Sequence, residues 1–132
     1  MSNYKAQIGI LLDMVGARNA VFPREDVSGL YAHASQTQQL YNKVWRLAKA
    51  MGKGKYFGDH VVRGIIDDHY FVNLYAGIPM IDIVHKPMNA SHGFGPHWHT
   101  HADDINIIDR KTLGAAGQVT TAVVYRFDGG KF

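Results

Sequence analysis

Ile8-Gly-Ile-Leu-Leu-Asp-Met-Val15, closed by Gly16, is the stretch from which the rest of the chain is read. A short apolar run with branched side chains is the pattern of a strand buried on both faces, as in a parallel sheet covered by helices. Asp13 breaks that pattern near the carboxyl end of the run. In open α/β sheets, ligand sites lie outside the carboxyl ends of the strands. Asp13 is therefore either a site residue or a carboxylate capping the next loop, and spacing does not choose between them.

Downstream, residues 17–32 contain Pro23, Gly29 and several charges and read as a loop. From Ser35 to Met51, the residues Leu40, Val44, Leu47, Ala48 and Met51 recur at three and four positions, with Tyr41 and Trp45 widening the face, which describes a core-facing helix ended by Gly52 and Gly54. Val61 to Ile66 reads as extended. Asp67-Asp68-His69 opens a helix through Tyr75, stopped by Ala76-Gly77. An acid at a helix N-terminus is ordinarily a cap, but two acids and a histidine exceed what a cap requires. Ile78 to Val84 is a strand with Asp82 embedded in it. A carboxylate inside a buried strand needs a proton, a cation or strong donors beside it. Residues 86–104 form a long Gly-, Pro- and His-rich loop, a kind of segment that usually carries function. The last helix runs from Lys111 to Tyr125 behind Asp109 as its N-cap, and the Gly-Gly-Lys-Phe tail is expected to fray.

Composition bounds the classes. With 132 residues, 46% apolar and 19% charged, residues 1–132 are expected to form one globular domain or a large part of one. The absence of cysteine excludes disulfide scaffolds, Cys-type zinc fingers and thiol catalysis. No apolar run is long enough to cross a bilayer, and the first residues lack the apolar stretch of a signal peptide. The net charge is +3, but the cations are scattered from Lys5 to Lys131, so no nucleic-acid partner is expected. Histidines and acids are less evenly spread: seven of the eight histidines lie between His60 and His101, and seven of the eleven carboxylates between Asp59 and Asp109. The single glutamate, Glu25, stands in a polar stretch and is not expected to serve as a buried base.

His97, His99 and His101 alternate and, if extended, would share one face within reach of a single metal. A cupin-like site is one reading, but a cupin needs many short strands and a later histidine, and here a helix follows.

A second reading uses one of the three histidines. Leu11-Leu-Asp-Met-Val-Gly-Ala-Arg-Asn-Ala-Val-Phe-Pro23, Lys55-Tyr-Phe57, Ile66-Asp-Asp-His69, Ala76-Gly-Ile-Pro79 and Trp98-His-Thr100, followed by Asp103-Asp104 and Ile108-Asp109, occur in an order and spacing that resemble the zinc-dependent M28-type exopeptidases. Within them the first and fourth pieces lean toward the glutaminyl cyclases. The resemblance covers about residues 7–125. It implies an α/β fold, part of a mostly parallel mixed sheet flanked by helices in three layers, incomplete in this chain.

The resemblance also implies roles. His99 would be a zinc ligand and Trp98 would line the substrate pocket. Asp13 matches an acid that binds a second zinc in dinuclear aminopeptidases and belongs to the hydrogen-bond network of single-zinc cyclases. Asp67 matches an aspartate that orients groups around the metal. Asp82 stands where animal cyclases carry a histidine, a departure at a second catalytic-site position. His97 and His101 have no counterpart. A catalytic zinc takes three protein ligands and an open position; the carboxylates of a preceding half are not recognisable here, so the chain reads as the C-terminal half of the catalytic domain, inactive alone and a poor zinc binder. Expected partners are peptide N-termini as substrate, the preceding half, and a second copy across an open sheet edge. Relatives of this type imply an exported parent. Dinuclear aminopeptidase chemistry is the alternative activity, and a non-catalytic interaction module the third.

Overall fold

The computed structural model describes residues 3–89 and 93–132; Met1, Ser2 and Ala90 to His92 lie outside the described residues, and with them His92 of the histidine-rich loop. The elements in chain order are β1 (Gly9–Asp13), β2 (Phe22–Asp26), α1 (Ala34–Ala50), β3 (Phe57–Arg63), α2 (Asp68–Phe71) continued by a π-helical turn (Val72–Ala76), β4 (Met80–Val84), a 3-10 turn (Ile105–Ile107) and α3 (Arg110–Asp128).

β1 pairs in parallel with β4, placing Leu11 opposite Asp82 and Asp13 opposite Val84. β2 pairs in parallel with β3. The two ladders meet where Lys86 N–H donates to the carbonyl of Val21 at 3.1 Å. Val21 thus lies beside the end of β4 while Glu25, further along β2, lies near Asp82, so the ladders run in opposite senses and the arrangement is a mixed one. This is the expected α/β class.

The strand β2 corrects the reading of residues 17–32 as loop. Arg24, Glu25 and Asp26 hide it from a composition test, yet Phe22, Pro23, Glu25 and Val27 are all buried. Helix α1 holds it: Trp45 Nε1 donates to the carbonyl of Phe22 at 3.1 Å, Gln38 Nε2 donates to the carbonyl of Glu25 at 3.1 Å, and Gln38 Oε1 accepts from Val27 N–H. The second extended segment is also corrected: the strand is Phe57–Arg63, beginning earlier than Val61 and ending before Ile66, which is 71% exposed.

Leu40, Tyr41, Val44, Trp45 and Ala48 of α1 pack with Phe22, Phe57, Ile81 and Ile83 and with Ala116, Val119 and Val123 of α3 in one core. Such large buried side chains each contribute on the order of 2 kcal/mol. α3 starts behind Asp109, whose carboxylate accepts from the N–H and hydroxyl of Thr112, as the sequence predicts. The tail does not fray as expected: Phe132 packs against the core, and Lys43 Nζ donates to its carbonyl. On its other edge β1 has no strand partner among the described residues, and Leu12 is 45% exposed. No helix among the described residues is long and apolar enough to cross a membrane.

Candidate functional site

Parallel pairing brings the ends of β1 and β4 together, and α2 begins beside them. Asp13 closes β1. Asp67 is the N-cap of α2, its extended backbone turning the carboxylate onto the N–H of Asp68 at 2.7 Å. Asp13 is raised above the usual carboxylate range, first by burial and then by the charge of Asp67 and a hydrogen bond shared with it; the N–H of Met14 opposes the shift and Asp103 adds to it. Met14 itself takes φ +51°. For a long side chain that conformation costs on the order of 1–3 kcal/mol, and it turns the chain sharply beside the acid.

Asp82 is 1% exposed and neither of its carboxylate oxygens has a hydrogen-bond partner. Burial, then the charges of Asp67, Asp13, Glu25 and Asp68, push it up to about 8. Of the proton, cation or donors that a carboxylate in this strand requires, no donor reaches it among the described residues, and burial with the surrounding acids favours the protonated form. The structure therefore brings together Asp13, Asp67 and Asp82, acids from distant parts of the chain.

It also brings in a residue the sequence reading set aside. Glu25 is 1% exposed, a correction to its placement in a polar stretch. Its Oε2 lies 2.7 Å from His69 Nε2 and accepts from the Tyr41 hydroxyl at 3.1 Å, while Oε1 accepts from the N–H of Ile65 at 3.1 Å. Tyr41 accepts in turn from the backbone N–H of Asp82 at 3.0 Å. His69 is equally buried, with Nδ1 3.6 Å from Asp82 Oδ2. Tyr41 was legible only as a core residue, and His69 as part of a group that exceeds what a cap requires. The available signal was small: the chain's one glutamate, flanked by Phe22 and Val27.

The histidine-rich segment sits across the end of β1. Lys86 Nζ lies 4.9 Å from the centre of the Phe94 ring, Phe94 lies 5.1 Å from Trp98, and Trp98 stacks on His99 at 4.0 Å. Trp98 and His97 line a narrow cleft with Met14, His85 and Asp103. Its volume of roughly 50 Å³ is room for a few waters. His85 accepts the N–H of Val21 at Nδ1, and burial holds it below the usual histidine value. Gly95 is required against it, since a Cβ there would come within 2.7 Å of the His85 ring. His99 and His101 are exposed, and His99 takes φ +56°.

The donors among the described residues do not by themselves make a zinc site. Among the described residues, no three His, Asp or Glu side chains gather closely enough to hold a metal ion. Asp13 belongs to the acid cluster and His99 to the aromatic stack, and a catalytic zinc requires a third ligand.

The model of peptidase family M28 matches residues 2–124. The glutaminyl cyclase of Tannerella forsythia is 44% identical, with a TM-score of 0.81 over 93% of this chain and 40% of its own. A Zn-dependent exopeptidase from Parabacteroides distasonis is 40% identical, with a TM-score of 0.81 over 95% of this chain and 41% of its own. A glutaminyl-peptide cyclotransferase of Boiga dendrophila is 23% identical over 89% of this chain and 31% of its own length. The chain thus spans about a third of that curated relative and about 40% of the solved structures. The family match over residues 2–124 decides the lineage: this chain belongs to peptidase family M28.

Proposed function

We propose that the chain carries part of the active site of a zinc-dependent, glutaminyl cyclase-type enzyme acting on peptide N-termini. The observation that supports this best is the meeting of Asp13, Asp67 and the buried Asp82 where β1, β4 and the start of α2 come together, in a chain 44% identical to a glutaminyl cyclase. In this reading His99 and Asp13 contribute to the metal environment, Asp67 and Asp82 orient and proton-buffer the groups around it, and Trp98 forms a wall for the substrate's first residue. The remaining ligands belong to a preceding half of the domain, which also covers the open edge of β1; a second copy of this chain is the competing occupant of that edge. Zinc in such a site acts as a Lewis acid. An exported parent, implied by the resemblance, belongs to the same proposal.

The test joins the chain to the corresponding preceding half of a cyclase relative, adds zinc and follows release of ammonia from a glutaminyl peptide. Activity is expected from the reassembled enzyme, with none from the 132-residue chain alone, and it should be abolished by His99→Ala and strongly reduced by Trp98→Ala. An active His99→Ala enzyme would remove that residue from the metal.

The 40% identity to a Zn-dependent exopeptidase favours a second reading, aminopeptidase chemistry at a dinuclear centre. Two zinc ions per reassembled enzyme and release of a free amino acid, in place of a cyclised peptide, would select it.

A further inference from the structure

His69 is clamped between two acids. Glu25 Oε2 is 2.7 Å from Nε2 and Asp82 Oδ2 is 3.6 Å from Nδ1, and all three residues are 1% exposed. Both oxygens of Glu25 already accept a hydrogen bond, Oε1 from Ile65 N–H and Oε2 from the Tyr41 hydroxyl, and His69 Nε2 lies 2.7 Å from Oε2. An ionised carboxylate can only accept, so Glu25 fixes a proton on Nε2 of the imidazole. The opposite nitrogen, Nδ1, then has no hydrogen-bond partner, and neither has the Asp82 carboxyl that it faces. Unpaired polar atoms at this depth are costly, and a proton between Nδ1 and Oδ2 pairs these two atoms after a closure of roughly half an ångström.

We propose that Glu25, His69 and Asp82 form a buried relay in which Glu25 holds the imidazole and His69 positions the Asp82 carboxyl through one shared proton. His69 is thus a positioning residue. It acts on the acid cluster through Asp82, and Tyr41 ties the same two acids from the other side by donating to Glu25 and accepting the Asp82 N–H. Use of the relay in turnover rests on the cyclase-type reading above. Its existence does not, and the experiment below measures the relay in the 132-residue chain without metal or substrate.

Two substitutions separate the halves of the clamp. Glutamine places its amide near the position of Nε2 and asparagine near that of Nδ1. His69→Gln therefore keeps the Glu25 contact and loses the one to Asp82, and His69→Asn does the reverse. Carbon-13 NMR of labelled aspartate follows the Asp82 carboxyl. Its midpoint is expected to move by about one pH unit or more in His69→Gln and to stay near that of the parent chain in His69→Asn. Equal behaviour of the two variants, or the reverse order, would overturn the proposal. Should either variant fail to fold, nitrogen-15 shifts of His69 in the unsubstituted chain decide: a proton fixed on Nε2 supports the relay, and a bare Nε2 overturns it. Failure here leaves the assay of the reassembled enzyme untouched, and inactivity there leaves these shifts untouched.

Discussion

His69 is 1% exposed between two carboxylates, whereas His99 is exposed, lies in the left-handed region at φ +56° and touches the ring of Trp98. The first belongs to a region where every polar atom is dear, because water cannot replace a lost partner. The second belongs to a segment held by stacked rings and a lysine over Phe94, where solvent can take any partner's place. Side chains of one chemical type therefore serve different ends. The buried one binds the fold and the acid cluster together, and the exposed one is free to be recruited by something outside the described residues.

The largest expected effect breaks the buried side. Glu25→Ala leaves His69, Tyr41 and Ile65 without their acceptor and is expected to cost about 3–5 kcal/mol of stability in a urea titration. A loss no greater than that of an average surface substitution would place Glu25 with the exposed group.

Next comes pH. Folding raises Asp82 from its ordinary 3.8 to about 8, so between those values the folded chain binds more protons than the unfolded one. Stability accordingly falls as pH rises through that window, and the upward shift of Asp13 has the same sign. The slope is expected to be on the order of 1 kcal/mol per pH unit where steepest. Asp82→Asn should flatten it; thermal melts at pH 5, about 6.5 and 8 measure the difference.

The boundary of the exposed segment gives a smaller signal. Asp109→Ala removes the acceptor of Thr112 N–H at the start of α3 and is expected to cost about 1 kcal/mol, visible as a shift in the urea midpoint. Smallest is His99→Ala in the chain alone, expected within about 0.5 kcal/mol of the parent. If that substitution destabilised the chain as much as Glu25→Ala, the contrast between the two regions would collapse.

Much of the architecture was legible because its signals are local. The apolar run into Asp13, the three-and-four spacing from Leu40 to Ala48, the stop at Gly77 and the cap at Asp109 each depend on a few neighbouring residues. β2 was not legible, because Arg24-Glu-Asp26 has no apolar alternation and its burial comes from α1 laid across it. Within the site, Asp13, Asp67 and Asp82 stood out as acids in apolar or capping positions. Glu25 did not, since a lone glutamate among charges looks like surface, and His69 stood out only as more than a cap requires, with no partner legible.

By itself the sequence determined which acids would stand at the ends of elements and which family the chain resembles, because periodicity, caps and short motifs are properties of neighbouring residues. Tertiary structure alone decided that Glu25 reaches His69 across 44 positions of chain, and that His69 turns its other nitrogen to Asp82. No pattern in one segment can specify that meeting. It follows from two parallel ladders laid side by side in opposite senses beneath α1, where the loss of water turns ordinary polar side chains into obligatory partners.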